Sequence, residues 1–297
     1  MKRSERSPAM RELQLTWQLF RRSKIAMVSV SVLIFFFTIS ALAPWLSPFD
    51  PTKLSMSEFF QPPSFKHPFG TDFLGRDYLS RLLYGARISI FASAVVVGLT
   101  LLIGLPIGAA SGYVGGKIDE ALMRITDIIM AFPGITLAML IAFAMGRGIF
   151  SAALALSAVG WTSMARIVRS VVLSEKEKDY VVAARVVGKS NFRILFGEIV
   201  PNCLYPVLVD AMMRMGTTII ALAGLSFIGV GVQPPNPDWG IIVSEGRNYL
   251  LDHPLISILP GLLIIAVVLS YNMVGDRLRD ALDPRFRREL YTKPSES

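Results

Sequence analysis

Long apolar runs separated by polar and charged stretches dominate the chain, and six of them are long enough to cross a membrane. A helix needs about 20 apolar residues to traverse roughly 30 Å of hydrocarbon. The runs at 25–46, 88–112, 121–145, 149–168, 206–232 and 255–274 meet that length. None shows the alternation over about 10 residues that marks a strand of a transmembrane barrel. Backbone groups in lipid must be satisfied within their own segment, so the runs are expected to be helices. The pattern predicts an all-α membrane protein, a polytopic bundle of six transmembrane helices.

Composition agrees. The 297 residues are 53% hydrophobic and 18% charged, with mean hydropathy +0.52, whereas soluble domains carry roughly 25% charge. The run 25–46 exceeds the roughly 7–15 apolar residues of a signal peptide. Ala41-Leu42-Ala43 resembles a cleavage site, but Pro44 follows it directly, so a retained first span is expected. Most of the 30 Lys and Arg fall in segments that share one side if the N-terminus is cytoplasmic. Positive charge marks the cytoplasmic face, so both termini are expected inside. The net charge of +8 is read as this bias and not as a nucleic-acid footprint.

Several spans carry residues that disturb a lipid-facing helix. Gly98, Gly104, Pro106 and Gly108, then Pro133 and Gly134, then Gly216, Gly224, Gly229 and Gly231 fit either close packing or helices bent around a pathway. Arg214 lies inside the fifth run, and Asp210, four residues earlier, can pair with it on one helix face. Either the span starts later and leaves both near its edge, or the pair faces a pathway. Asp127 in the third run raises the same question, with Arg124 one turn before it.

Catalytic chemistry is not visible. Gly115-Gly116-Lys117 is a partial phosphate-loop pattern, but Ser111 and Ile118 stand where Gly and Ser or Thr are needed. His67 and His253 are far apart, and Cys203 is alone, so neither a metal site nor a disulfide is expected within the chain. No cofactor is expected.

The charged stretch between the fourth and fifth runs reads Glu177-Lys-Asp-Tyr-Val-Val-Ala-Ala-Arg-Val-Val-Gly188, then, after nine residues, Glu198-Ile-Val-Pro201. Two short helices broken at Gly188 are expected, with acidic residues in the first turn and Ser190 or Asn191 capping the second. Pro201 is expected to end the unit. Pattern alone leaves open an interfacial helix pair lying on membrane lipid.

This stretch resembles the EAA loop of binding-protein-dependent ABC importer permeases. Three further motifs resemble the dipeptide/oligopeptide/nickel class, and in particular the "C" member of its permease pair: Gly70-Thr-Asp-Phe-Leu-Gly-Arg-Asp77, Leu225-Ser-Phe-Ile-Gly-Val-Gly-Val-Gln-Pro-Pro-Asn-Pro-Asp-Trp-Gly240, and Gly275-Asp-Arg-Leu-Arg-Asp-Ala-Leu-Asp-Pro284. Val182 stands where the general loop has Glu, so no salt bridge made by that Glu carries over.

The resemblance implies a type I ABC importer permease fold. Its organisation would be a cytoplasmic segment 1–24, a first span 25–46, an extracytoplasmic loop 47–87, a permease domain 88–284 containing the cytoplasmic loop 173–205, and a tail 285–297. It implies a homologous second permease, two cytoplasmic ABC ATPases and an extracytoplasmic binding protein as partners. Coupling to an ATPase would fall to Asp179, Tyr180, Ala183, Ala184, Arg185, Gly188 and Pro201. A bulky charge at Ala184 or Gly188 is expected to abolish transport with the chain still in the membrane. Asp72, Arg76, Asp77 and Trp239 would meet the binding protein or shape the outer gate, or Arg76 and Asp77 would hold their own loop together. Asp127, Asp210 and Arg214 are possible pathway residues. A gradient-driven secondary transporter is the alternative. It would rely on Asp127 and Asp210, because no other acidic or histidine relay lies in the runs.

Overall fold

The computed structural model describes residues 17–282. The expected tail 285–297, and residues 1–16 of the expected N-terminal segment, lie outside them. After a short helical stretch at 17–22, ten helices follow: α1 Lys24–Leu46, α2 Tyr78–Val114, α3 Gly116–Met130, α4 Gly134–Met145, α5 Ile149–Glu175, α6 Asp179–Val186, α7 Asn191–Ile194, α8 Val200–Phe227, α9 Trp239–Gly246 and α10 Leu255–Leu282. Among the described residues an isolated bridge between Thr71 and Asp77 takes the place of any strand. Five helices are long and apolar enough to cross a membrane, and α3 with α4 makes a sixth span if the bent pair counts as one.

The helices outrun the apolar stretches that announced them. α2 starts at Tyr78, well before the apolar run, because the Asp77 carboxylate accepts the Ser80 N–H at 2.8 Å and caps it there. Its 37 residues span roughly 55 Å, beyond the hydrocarbon thickness. The loop expected at 47–87 therefore ends at residue 77. The third span is not one helix. Pro133 has no N–H to donate and disfavours α geometry at Phe132, so the chain turns by 85° between α3 and α4.

Pro201 does not end the charged loop. It sits in the first turn of α8, and α7, a π turn at Leu195–Ile199 and α8 form one helical run. A π turn is wider than an α turn, which leaves space for a ring that would otherwise meet the carbonyl of Gly197. The expected second short helix is thus the start of the span.

α2 and α5 share the closest seam. Gly104, Gly108 and Gly112 recur every fourth residue along one face of α2. A Cβ at Gly108 would stand 2.3 Å from the Ala165 carbonyl oxygen, and one at Gly104 would stand 2.8 Å from Met164 Cβ. The backbone of α5 lies on the bare glycine face, the close approach that small residues permit in lipid. Gly98, by contrast, faces open space.

Gly108→Val forces α5 off this seam, and overpacking of this kind costs about 1–3 kcal/mol or more. The expected outcome is a lower thermal unfolding midpoint and loss of the monodisperse peak in detergent, with Gly98→Ala as an unaffected control. Equal midpoints for the two variants would disprove the seam.

Candidate functional site

Three groups of residues carry chemistry beyond spanning: a braced loop at one end of the bundle, a loop helix at the other, and ion pairs between them.

The braced end is built from the two motifs around Asp72 and Trp239. Gly70 and Gly75 adopt φ of 75° and 71°, and a Cβ at Gly75 would lie 1.9 Å from the Ser55 carbonyl oxygen. These turns deliver Asp72, Arg76 and Asp77 inward. Arg76 Nε donates to Asp72 Oδ2 at 2.6 Å, and Arg76 Nη2 donates to Glu245 Oε2 at 2.9 Å. Arg81 Nη2 reaches the same Glu245 oxygen at 2.5 Å. Both arginine side chains are 1% exposed. Asp77 Oδ1 also pairs with His67 Nδ1 at 2.8 Å.

Trp239 is fully buried, with its indole N–H donating to the Leu82 carbonyl at 3.2 Å and Phe36 edge-on at 6.0 Å. Beside it, Asp238 caps α9 by accepting the Ile241 N–H at 2.7 Å. Burial pushes its carboxyl up to about 6, against the pull of that hydrogen bond. Asp72, Arg76, Asp77 and Trp239 are therefore interior groups whose bonds hold loop 47–77, α2 and α9 together. Arg81 and Glu245 complete the network. Sequence reasoning missed them because neither stands in the Gly-Thr-Asp-x-x-Gly-Arg-Asp motif, and Glu245 comes from the other loop.

At the opposite end α6 rests on the bundle by one face. Val181 is fully buried and Ala184 nearly so, packed in a cluster with Met164, Val168 and Val172 of α5 and with Ile194, Ile199 and Cys203 of the α7–α8 run. The Tyr180 hydroxyl donates to Glu175 at 2.7 Å, and burial together with that carboxylate pushes its pKa up. Gly188, at φ 82°, turns the chain after α6. Ser190 takes the cap position of α7, but its hydroxyl makes no capping bond.

The other face of α6 has no covering. Val182 is 49% exposed, Val186 82% and Val187 79%, with Phe192 71% and Phe196 49% exposed beside them. Ala183 and Arg185 are exposed and Asp179 begins the helix. Ala183 and Ala184, adjacent in sequence, thus face opposite ways. A charge at Ala184 would break the packing of α6 itself, so Ala183 is the position that probes the free face.

Between the two ends lie the ion pairs. Arg214 pairs with Asp210 on α8 and donates from Nη1 to Ser163 Oγ of α5 at 2.9 Å. Asp127 does not pair with Arg124. Its partner is Arg166 of α5, whose Nη2 donates to Oδ1 at 2.6 Å. Asp119, unremarked in the sequence, accepts two bonds of 2.6 Å from Arg169 and one from Ser111. Among the described residues no group of three or more His, Cys, Asp and Glu is placed to hold a metal ion.

Known proteins share this architecture. Residues 104–288 match the family model of the binding-protein-dependent transport system inner membrane component, and residues 12–63 match the N-terminal TM domain of oligopeptide transport permease C. The dipeptide transport system permease protein DppC of Haemophilus influenzae is 36% identical over 282 residues, covering 93% of this chain and 96% of that one. The oligopeptide transport system permease protein OppC of Bacillus subtilis is 39% identical over 269 residues, covering 91% and 88%. A chain of the inward-facing MetNI methionine ABC transporter superposes with a TM-score of 0.56 at 21% identity, over 69% of this chain and 98% of that one, which shows a shared fold. With its spans, its braced loop and its loop helix accounted for, this chain belongs to the family of binding-protein-dependent transport system inner membrane components.

Proposed function

We propose that the chain is one membrane subunit of an ATP-driven peptide importer, forming half of the pathway beside a homologous permease. Two cytoplasmic ATPases would supply the energy, and an extracytoplasmic binding protein would deliver the peptide. The peptide assignment follows the relatives named for dipeptide and oligopeptide transport. The α6 end is cytoplasmic in this reading, in keeping with the Lys and Arg bias of the sequence.

The observation that carries the proposal is the two-faced α6. One side presents Val182, Val186 and Val187 to a partner, and the other is fixed by Val181 and Ala184 to both α5 and the α7–α8 run. Exposed apolar surface of this kind marks a contact with another protein or with a membrane, and membership in the family of importer permeases favours a protein. Closure of an ATPase pair against α6 would press on α5 and on the α7–α8 run at once, because a packed core transmits strain. No catalytic group is required of this chain. A gradient-driven carrier has no use for such a face.

The braced end would give the binding protein a rigid platform. Asp72, Arg76, Asp77 and Trp239 would support that platform from within, while exposed groups of loop 47–77 meet the partner.

Ala183→Arg places a long charged side chain on the free face and leaves the buried face alone. In proteoliposomes holding the full complex, ATP-dependent peptide uptake is expected to drop by at least about tenfold, the loss of one interface anchor, with an unchanged unfolding midpoint. Undiminished uptake would sink the docking assignment. Glu245→Gln leaves two buried guanidiniums short of a carboxylate, and breaking such a network costs about 3–5 kcal/mol. The unfolding midpoint in detergent is expected to drop clearly, and a midpoint equal to wild type would remove the brace from the account.

A further inference from the structure

Three ion pairs lie in the spans, and they differ in how firmly each is held. Asp119 is gripped by Arg169 through two parallel bonds and by Ser111 through a third. Asp210 and Arg214 share one helix, are 25% and 22% exposed, and are tied to α5 through Ser163. Asp127 and Arg166 have a single bond between two helices, α3 and α5, with side chains 53% and 47% exposed. Exposed pairs are weak because water competes for both partners.

Position makes this weakness informative. Arg166 lies nine residues before the end of α5, roughly 14 Å along the helix, and inside the apolar run 149–168. Charges at such depth avoid hydrocarbon and face a water-filled cavity or a partner. Ser163 and Arg166, one turn apart on α5, join the Asp127 and Arg214 pairs into one belt of two positive and two negative groups. The belt borders the break between α3 and α4, where Ala131, Phe132 and Pro133 are exposed.

We propose that Asp127 and Arg166 are an exchangeable pair lining the translocation pathway, which opens to take the ammonium and carboxylate ends of a zwitterionic peptide. Arg166 receives the carboxylate and Asp127 the ammonium, so the net charge of the belt is the same before, during and after passage. A solute with one charge would leave one member of the pair without a partner. Arg214 and Asp210, being less exposed, hold the adjoining wall. This proposal rests on the peptide-import reading above.

The test uses the complete complex in proteoliposomes with one binding protein throughout. Uptake of alanyl-alanine with free termini is compared with uptake of its C-terminal amide and of its N-acetyl form. The binding protein is common to all variants, so a changed ratio reports the membrane subunit. Arg166→Gln is expected to lower uptake of the free dipeptide about tenfold, the loss of one charged hydrogen bond, and to narrow the free-to-amide ratio by a similar factor. Asp127→Asn is expected to narrow the free-to-acetyl ratio. Equal losses for every peptide would reduce the pair to a structural strut and overturn the proposal.

Arg166→Cys in the assembled complex should react with a water-soluble cationic thiol reagent, while the buried native Cys203 does not. Protection of position 166 would place it against the partner permease and refute the pathway assignment. Absence of ATP-dependent uptake by the wild type would instead overturn the importer reading, and this proposal with it.

Discussion

Hydrocarbon gives helices no hydrophobic reason to associate, so a bundle in lipid depends on close packing and on satisfied polar groups. Here the closest packing is the glycine face of α2 against the backbone of α5. Much of the molecule follows from it. With one side fixed on α2, α5 can offer Ser163 and Arg166 to its neighbours on other sides and carry α6 at its end. Arg169, one turn beyond Arg166, binds α3 through Asp119. One helix thus bears the seam, the charged belt and the connection to the loop helix.

Burial sorts the charged residues into two kinds. Arg76, Arg81 and Asp72 are interior and Glu245 is 14% exposed, and a buried charge left alone is costly enough that these groups stay together. Such a network resists rearrangement and suits a platform that should not move. Asp127 and Arg166 are half exposed and joined by a single bond. Water can replace either partner, which suits a surface where contacts must be exchanged. Arginine and aspartate thus serve opposite mechanical ends, and solvent access decides which.

The number and class of the elements were legible because lipid imposes a length and a polarity that hydropathy reads directly. Their ends were not. Arg81 and Arg87 precede the apolar run yet lie inside α2, since a helix continues past the hydrocarbon wherever its caps allow. Pro133 was visible as a disturbance, yet an 85° turn depends on what α3 and α4 pack against. Pro201 looked like a stop and is accommodated by a π turn, which no residue pattern in that stretch announces. The site was legible as motifs and not as contacts. Ala183 and Ala184 are the same residue type side by side, and only the docking of α6 on α5 and α8 separates the free one from the buried one. Arg166 gave no signal of its own in the sequence because its partner lies in another helix.

Coupling across such a bundle requires stiffness in some places and give in others. Val181 and Ala184 bind α6 to α5 and to the α7–α8 run at once, so a push on the loop helix reaches both. α5 is held to α2 by backbone contact and has little freedom to slide. The α7–α8 run meets the same push through a π turn and contains Pro206, two places where the regular hydrogen-bond ladder is already interrupted. In the proposed reading, motion delivered at α6 is resolved mainly in α8, the less regular of the two helices it rests on. The groups that join α8 to α5 at mid-height are Arg214 and Ser163, next to the weakly held pair of Asp127 and Arg166. In that reading a displacement of α8 would bear first on the belt, far from the brace at the other end, so a single loop helix would alter the pathway while the receiving platform stays in place.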